Sequence, residues 1–309
     1  MKLEQLNFDS EFFKLYQINN CYAAIEIFAA DTGSNAGFID LGDKVIVIDT
    51  FLNIDAAKDM KRAIDQYCRA EKLIVINTHF HADHVVGNSV FEGEILSTRI
   101  TRESLENRFV QQVQTIQAIS EKEMKEKRDR IDNETDPRKK ANLENEMRFL
   151  KNLRHPEFEI RLPSTIVDEN IEITGENGAV KLQVVEAHTK GDIVVKNRSA
   201  GVVYLADTLF SKCFPWIGSG TPEKWIVFCE EILQENFKYF ISGHGEMGRR
   251  IDVELQKKYL VEILEIARNL RSGGKDINSI KLTDLSEGFQ NWDPMVFEWN
   301  NNFLSDYLK

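Results

Sequence analysis

The spacing of apolar residues changes several times along the chain, and each change predicts an element. Residues 15–28, "LYQINNCYAAIEIF", and 35–50, "NAGFIDLGDKVIVIDT", are rich in β-branched and aromatic side chains and predict strands, with Gly42-Asp43 as a hairpin turn. From Asp55 to Tyr67 the apolar residues Ala56, Met60, Ile64 and Tyr67 recur at helical spacing. "KLIVIN", residues 72–77, returns as a short apolar strand. The second half repeats the plan. "STIVDENIEITGENGAVKLQVVEA" predicts two strands joined at Asn177-Gly178, and "DIVVKNRSAGVVYLAD" predicts another pair. A helix is expected to open at Thr221-Pro222-Glu223, with Thr as N-cap and Pro in the first turn. "YFISGHGE" is a strand entering a glycine loop, and Val253 to Leu270 is an amphipathic helix stopped by Gly273-Gly274. Strands followed by helices, used twice, predict two sheets packed face to face with helices outside.

Two segments stand apart. Residues 100–155 have almost no β-branched runs and are dense in Glu, Lys and Arg. Asp136-Pro137 marks a helix start there, and Leu143, Met147, Leu150 and Leu153 give that helix one apolar stripe, so a helical insertion is expected. Its run "EKEMKEKRDR" is a solvated helix face. Residues 275–309 form a helical, aromatic extension, "GFQNWDPMVFEWNNNFLSDYLK" at its end, expected to dock on the body or on another subunit as a homo-oligomer contact. The expectation is one domain over 1–309 that contains both.

Composition narrows the partners. A hydrophobic content of 42% and a charged content of 29% suit a globular protein. The balance of 39 basic against 50 acidic residues gives a net charge of −11, which disfavours nucleic acid and favours a small-molecule substrate. No apolar run is long enough to span a membrane, and the first residues lack a secretory pattern, so a cytoplasmic protein is expected. The four cysteines are scattered and are expected to stay reduced.

Candidate chemistry is concentrated in "NTHFHADHVVGN", residues 77–88, which holds three of the six histidines of the chain. In an extended segment residues two apart point the same way, so His79 and His81 can grasp one ion. Asp83 and His84 fall where the chain turns, within reach of a second ion. Further ligand types follow apolar strands: His188 after "LQVVEA", Asp207 after "VVYLA" and His244 after "YFISG". One rim of a sandwich could collect all seven, leaving His155 as a surface residue.

The motifs "THFHADHVVGN", "AHTKGD", "YLADTLF" and "SGHGEM" resemble, in order and spacing, the ligand motifs of the metallo-β-lactamase superfamily. The likeness runs from Asn20 to Leu270. It implies an α/β, four-layer αββα sandwich with a dinuclear site at one edge. His79, His81 and His188 would hold one metal, Asp83, His84 and His244 the other, and Asp207 would bridge them. Asp49, ending "VIVIDT", matches the first-motif aspartate and would orient a ligand histidine.

Imidazole and carboxylate donors without thiolate suit two zinc ions, with iron or manganese as alternatives. The implied activity is hydrolysis, a bridging hydroxide attacking a small ester, lactone, thioester or amide, with Asp83 as the proton-handling catalytic group. Asp207 stands where many metallo-β-lactamases carry cysteine, which turns the expectation away from antibiotics. The alternatives are an iron-dependent redox enzyme or dioxygenase and a phosphodiesterase of the RNase Z kind. Asn88, Lys212 and Trp216 are candidate substrate contacts: Asn88 as a donor to the reacting oxygen, Lys212 as a partner for a substrate carboxylate, and Trp216 as an apolar platform. Replacing His155 with Ala is expected to leave turnover unchanged within twofold in steady-state assays, and a loss comparable to that of a ligand variant would contradict this partition of the histidines.

Overall fold

The computed structural model describes residues 3–27, 32–292 and 296–309, so Phe28, the last residue of the first predicted strand run, lies outside the described residues. Among the described residues, eight strands form one sheet in sequence order: β1 (Leu3–Gln5), β2 (Phe13–Ile18), β3 (Cys21–Glu26), β4 (Ala36–Asp40), β5 (Val45–Ile48), β6 (Leu73–Ile76), β7 (Glu94–Ser97) and β8 (Thr165–Ile166). Pairing is antiparallel as far as β5 and parallel from there to β8. Five more strands form the second sheet: β9 (Ile171–Gly175), β10 (Gly178–Val185), β11 (Asp192–Asn197), β12 (Val202–Ser211) and β13 (Tyr239–Gly245), with β12 and β13 parallel.

The sheets are covered on both faces at their centres, which is why β5 and β6 are apolar throughout rather than alternating. Ile46 and Ile48 of β5 and Ile74 and Ile76 of β6 point inward against Ile193, Val195, Val202 and Tyr204 of the other sheet. Val45, Val47, Leu73 and Val75, one residue out of phase, face helix α1 (Ile54–Tyr67), where Met60, Ala63 and Ile64 are buried. On the far side, Val194, Val203 and Leu205 pack against α6 (Pro222–Gln234) and α7 (Arg250–Ser272). Helix, sheet, sheet and helix make the expected αββα sandwich.

Local details differ from the sequence expectation. The β9–β10 turn is Glu176-Asn177, one residue early, because Gly175 pairs with Gly178. Thr221 precedes α6, but its hydroxyl donates to Glu186 at 2.6 Å instead of capping the helix. The predicted insertion is α2 (Arg99–Ser104), a π-helical turn over Leu105–Phe109, α3 (Val110–Gln117), α4 (Glu121–Asn133) and α5 (Pro137–Leu153). Its apolar side, including Leu105, Phe109, Met147, Leu150 and Leu153, closes on Leu52, Ile54, Val85 and Val86, so it braces the loops behind the histidine motif. The C-terminal extension ends in α8 (Phe297–Tyr307) and docks on the body: Ile277, Phe289, Trp292, Phe297 and Leu304 join the α6–α7 core. All four cysteines are free. No described helix is long and apolar enough to cross a membrane.

The two sheets are joined by Tyr204. Its hydroxyl crosses the interior and donates to the carbonyl of Tyr22 at 2.9 Å, with that of Phe38 at 3.3 Å. The ring passes because Gly37 has no side chain; a Cβ there would lie 2.6 Å from Tyr204 Cε1 and 2.5 Å from the Tyr22 carbonyl oxygen. Tyr204→Phe is expected to cost about 1 kcal/mol, the net worth of a buried hydrogen bond. This should lower the urea midpoint without changing the slope. An unshifted midpoint would show that the bond contributes nothing.

Candidate metal centre

Every sequence-predicted ligand reaches one end of the sandwich. His79 follows β6, and His81 leads into a single 3-10 turn, Ala82–His84, that carries Asp83 and His84. His188 sits in the turn between β10 and β11. The expectation that every ligand lies beyond a strand end fails for two of them: Asp207 is inside β12 and His244 inside β13. They face the centre because the β12–β13 register shifts on both sides of Ala206, whose φ is 45°. Such an irregularity re-aims side chains that an ideal ladder would alternate. Gly243 completes the approach, since a Cβ there would lie 1.9 Å from Asp207 Oδ1.

The ligand atoms fall into two groups, His79–His81–His188–Asp207 and Asp83–His84–His244, and within each group they lie within 4.8 Å of one another. Asp207 stands between the groups. Its Oδ2 is 3.6 Å from His79 Nε2, 3.3 Å from His188 Nε2 and 3.2 Å from His244 Nε2, while its Oδ1 is 3.0 Å from His84 Nε2. Asp83 Oδ2 lies 3.5 Å from His244 Nε2 and 3.7 Å from His84 Nε2.

Outer partners decide which nitrogen each ring presents. His188 Nδ1 is 2.9 Å from the Trp216 carbonyl, which can only accept, so Nδ1 carries the proton. His84 Nδ1 donates to Asp49 Oδ2 at 2.8 Å. Thr78 spends its one hydroxyl proton on Asp49 Oδ2 at 2.7 Å, so His79 Nδ1, 3.1 Å away, donates to Thr78 Oγ1. His81 turns Nδ1 inward, 3.0 Å from His188 Nε2, and sets Nε2 3.0 Å from Ser219 Oγ. His79 and His188 therefore turn a lone pair inward through Nε2, and His81 Nδ1 lies against that of His188. His79 Nε2, His84 Nε2 and Asp207 Oδ1 are buried with no hydrogen-bond partner; the 3.0 Å approach of the last two lacks hydrogen-bond alignment. Buried, unpartnered ligand atoms of this kind fit a cation.

Protonation divides the centre. Burial pushes His81 down to about 4, His188 to about 3 and His79 well below its usual value, so these rings are neutral. Burial also opposes charge on His244 and His84, but the neighbouring carboxylates, Asp207 foremost with Asp83 beside both rings and Asp49 beside His84, together outweigh it, holding His244 at about 9 and His84 well above the usual imidazole range. Burial likewise opposes the Asp207 charge, yet the surrounding imidazoles, His244 and His84 foremost, keep its carboxyl well below the usual carboxylate range.

Asp49 occupies the place expected for a group that orients a histidine. It is buried with φ at 58°, and it also accepts from the Thr78 amide at 2.8 Å. Asn88, expected as a donor to the reacting oxygen, is buried and turned to other partners. Its amide donates to Asn77 Oδ1 and the Arg161 carbonyl and accepts from Thr50 Oγ1, which leaves no donor for a substrate. Lys212 is half exposed, and its ammonium is taken by Glu246 at 2.5 Å. Trp216 touches the centre through its carbonyl, while its ring meets Trp299 edge-on at 6.0 Å. His155 lies outside both groups, its nitrogens facing the Glu157 amide and Asp55. Sequence reasoning missed Thr78, Ser219 and Asp192. Asp192 accepts from the Ala187 amide, the Thr189 amide and the Thr189 hydroxyl, bracing the turn that presents His188. The Thr189-x-x-Asp192 spacing was the available signal.

Residues 29–98 match the family model described as the metallo-beta-lactamase superfamily. No curated protein matches the chain. Among solved structures, a metallo-beta-lactamase from Pontibacter korlensis is similar with a TM-score of 0.54 at 10% identity, covering 84% of this chain and 99% of that one. VMB-1 gives 0.56 at 14% identity, covering 82% and 98%. The sec-alkylsulfatase Pisa1 from Pseudomonas sp. gives 0.65 at 12% identity, covering 95% of this chain, which spans half the length of that protein. At these identities the likeness is one of fold.

The protonation pattern has a measurable consequence. A divalent cation entering among Asp83, His84 and His244 must displace imidazole protons, whereas one entering among His79, His81 and His188 displaces none at pH 7. The sign follows from the raised His244 value: uptake at that group releases protons and tightens as the pH rises from 7 toward about 9. Calorimetric titration in buffers of different ionisation enthalpy should register this release at pH 7, and a buffer-independent heat would contradict it.

Proposed function

We propose that this chain, which belongs to the metallo-beta-lactamase superfamily, is a metal-dependent hydrolase with a dinuclear centre. The observation that carries the reading is the convergence of five imidazoles and two carboxylates whose inward atoms lack partners other than one another. His79, His81 and His188 would hold one ion, Asp83, His84 and His244 the other, and Asp207 both. All-nitrogen and oxygen donors favour zinc, with iron or manganese as alternatives. Bound there, such ions supply Lewis acidity and bring the pKa of a bound water down to about 7.

The remaining work belongs to the chain. Asp83 is 26% exposed and His244 21%, and His81 is also partly exposed, whereas His79, His84, His188 and Asp207 are sealed, so substrate and water approach from the side of His81, Asp83 and His244. The Asp83 carboxylate would take a proton from the attacking water and return it to the leaving group. Asp49 and Thr78 fix the rings of His84 and His79, so little reorganisation is needed as charge develops. Phe210 stacks on His244 at 4.8 Å and keeps that ring in the site.

The substrate class is a small ester, lactone, thioester or amide. A sulfate ester joins the test because the sec-alkylsulfatase superposes over 95% of this chain, against 82% and 84% for the two lactamases. A panel of these substrates with a β-lactam and a phosphodiester, run with metal quantified on the same preparation, tests the reading. Turnover of an uncharged acyl substrate with two equivalents of zinc is the expected result. Iron with redox activity, or phosphodiester turnover alone, would favour the alternatives. His79→Ala and Asp207→Ala should each lose metal and reduce turnover beyond the about tenfold to hundredfold typical of outer partners. Near-wild-type activity in both would overturn the site.

A further inference from the structure

The C-terminal extension reaches the metal centre through one amide. Asn300 of α8 is fully buried and makes three hydrogen bonds. Its Oδ1 accepts from the Ile217 amide at 3.1 Å, and its Nδ2 donates to the Pro215 carbonyl at 2.8 Å and to Tyr259 Oη at 3.1 Å. Pro215 and Ile217 flank Trp216, whose carbonyl holds His188 Nδ1. One planar side chain thus grips the peptide units on either side of the residue that fixes the tautomer and orientation of His188. Two residues on from Ile217, Ser219 Oγ meets His81 Nε2.

The loop needs such a grip. Residues 214–217 belong to no helix or strand, so no ladder sets their backbone. Phe214 anchors one end among Tyr259, Phe297 and Trp292, at ring separations of 5.1, 5.3 and 5.3 Å, but apolar packing sets no carbonyl direction. A carbonyl is aimed by fixing the peptide units on both sides of it, which Asn300 does.

We propose that Asn300 is a positioning residue of the metal centre, acting through the 215–217 loop to hold His188 in ligating geometry, so that α8 is part of the site. The inference rests on the metal reading above. The neighbouring Asn301 supplies the control: it is also buried, and its Nδ2 donates to the Ile280 carbonyl, tying α8 to the extension without touching the loop.

Cobalt(II), which suits the same donors, is the probe. Wild type, Asn300→Ala and Asn301→Ala are compared by chelator competition, by the visible absorption of the cobalt-loaded protein and by thermal unfolding of the metal-free protein. Both variants should lose stability, but only Asn300→Ala should weaken cobalt binding, by about tenfold or more, and alter the absorption bands. Equal losses of affinity in the two variants, or none in either, would overturn the inference while leaving the metal centre intact. Wild-type protein that takes up no cobalt would overturn the metal reading and this inference with it. Should Asn300→Ala fail to fold, Tyr259→Phe removes one of the three bonds. A smaller shift in the same direction supports the inference, and unchanged binding and spectrum refute it.

Discussion

The structure depends on the burial of one carboxylate among imidazoles. Asp207 has four histidine nitrogens within 3.6 Å and is almost wholly removed from solvent. An ionised carboxylate in that setting is tolerable only opposite positive charge, and imidazole nitrogens already committed outward by a donated proton offer none. The chain meets this in two ways. It leaves protons on His84 and His244, and it keeps His79, His81 and His188 neutral, with inward lone pairs on His79 and His188 that a cation would satisfy. One site therefore holds both a proton-balanced and a proton-free group, separated by a single side chain.

The surroundings serve that arrangement in layers. Asp49 gathers His84 directly and His79 through Thr78, and its strained backbone is the conformation that lets one side chain at a strand end serve both. The helical insertion closes apolar residues over Val85 and Val86, next to His84, and so excludes water from the motif's back. Thr98, which caps the first insertion helix, donates its hydroxyl to the Gly191 carbonyl and ties the same insertion to the His188 turn. Insertion and C-terminal extension, which sequence alone leaves without a role, both end at the histidines.

Much of this was legible in the sequence, and the reason is chemical density. Seven ligand types in four short motifs announce a metal site because histidine is rare and has few other reasons to cluster. The buried sheets announced themselves as apolar runs. Short strands did not: Leu3–Gln5 and Glu94–Ser97 are too brief for a period to show, and Thr165–Ile166 fell inside a run read as one strand, which the structure divides between the two sheets. Asn88 shows a different limit, since a polar residue beside a metal motif serves equally well as interior scaffold, and its two donors go to Asn77 and the Arg161 carbonyl. Asn300 and Ser219 were invisible because their partners are backbone or side chains 41 and 138 residues away, and no local pattern encodes that. The β12–β13 irregularity escaped for the same reason: a register shift belongs to a pair of strands, not to either sequence.

Site and fold are also coupled through the order of assembly. His79, His81, Asp83 and His84 come from the first sheet's side, and His188, Asp207 and His244 from the second, so neither half holds a complete group alone. The joint between them is polar and specific. Asn35 donates to the carbonyls of Ser242 and Gly245, Tyr204 reaches the strands opposite, and the Ile193 amide meets the Thr78 carbonyl directly beside His79. A cation gripped across that joint binds the closed sandwich and not the separated sheets, so its binding energy is also sandwich-closing energy. The rim is thus a place where a cation would add to the stability of the closed sandwich, because its ligand atoms come from both halves.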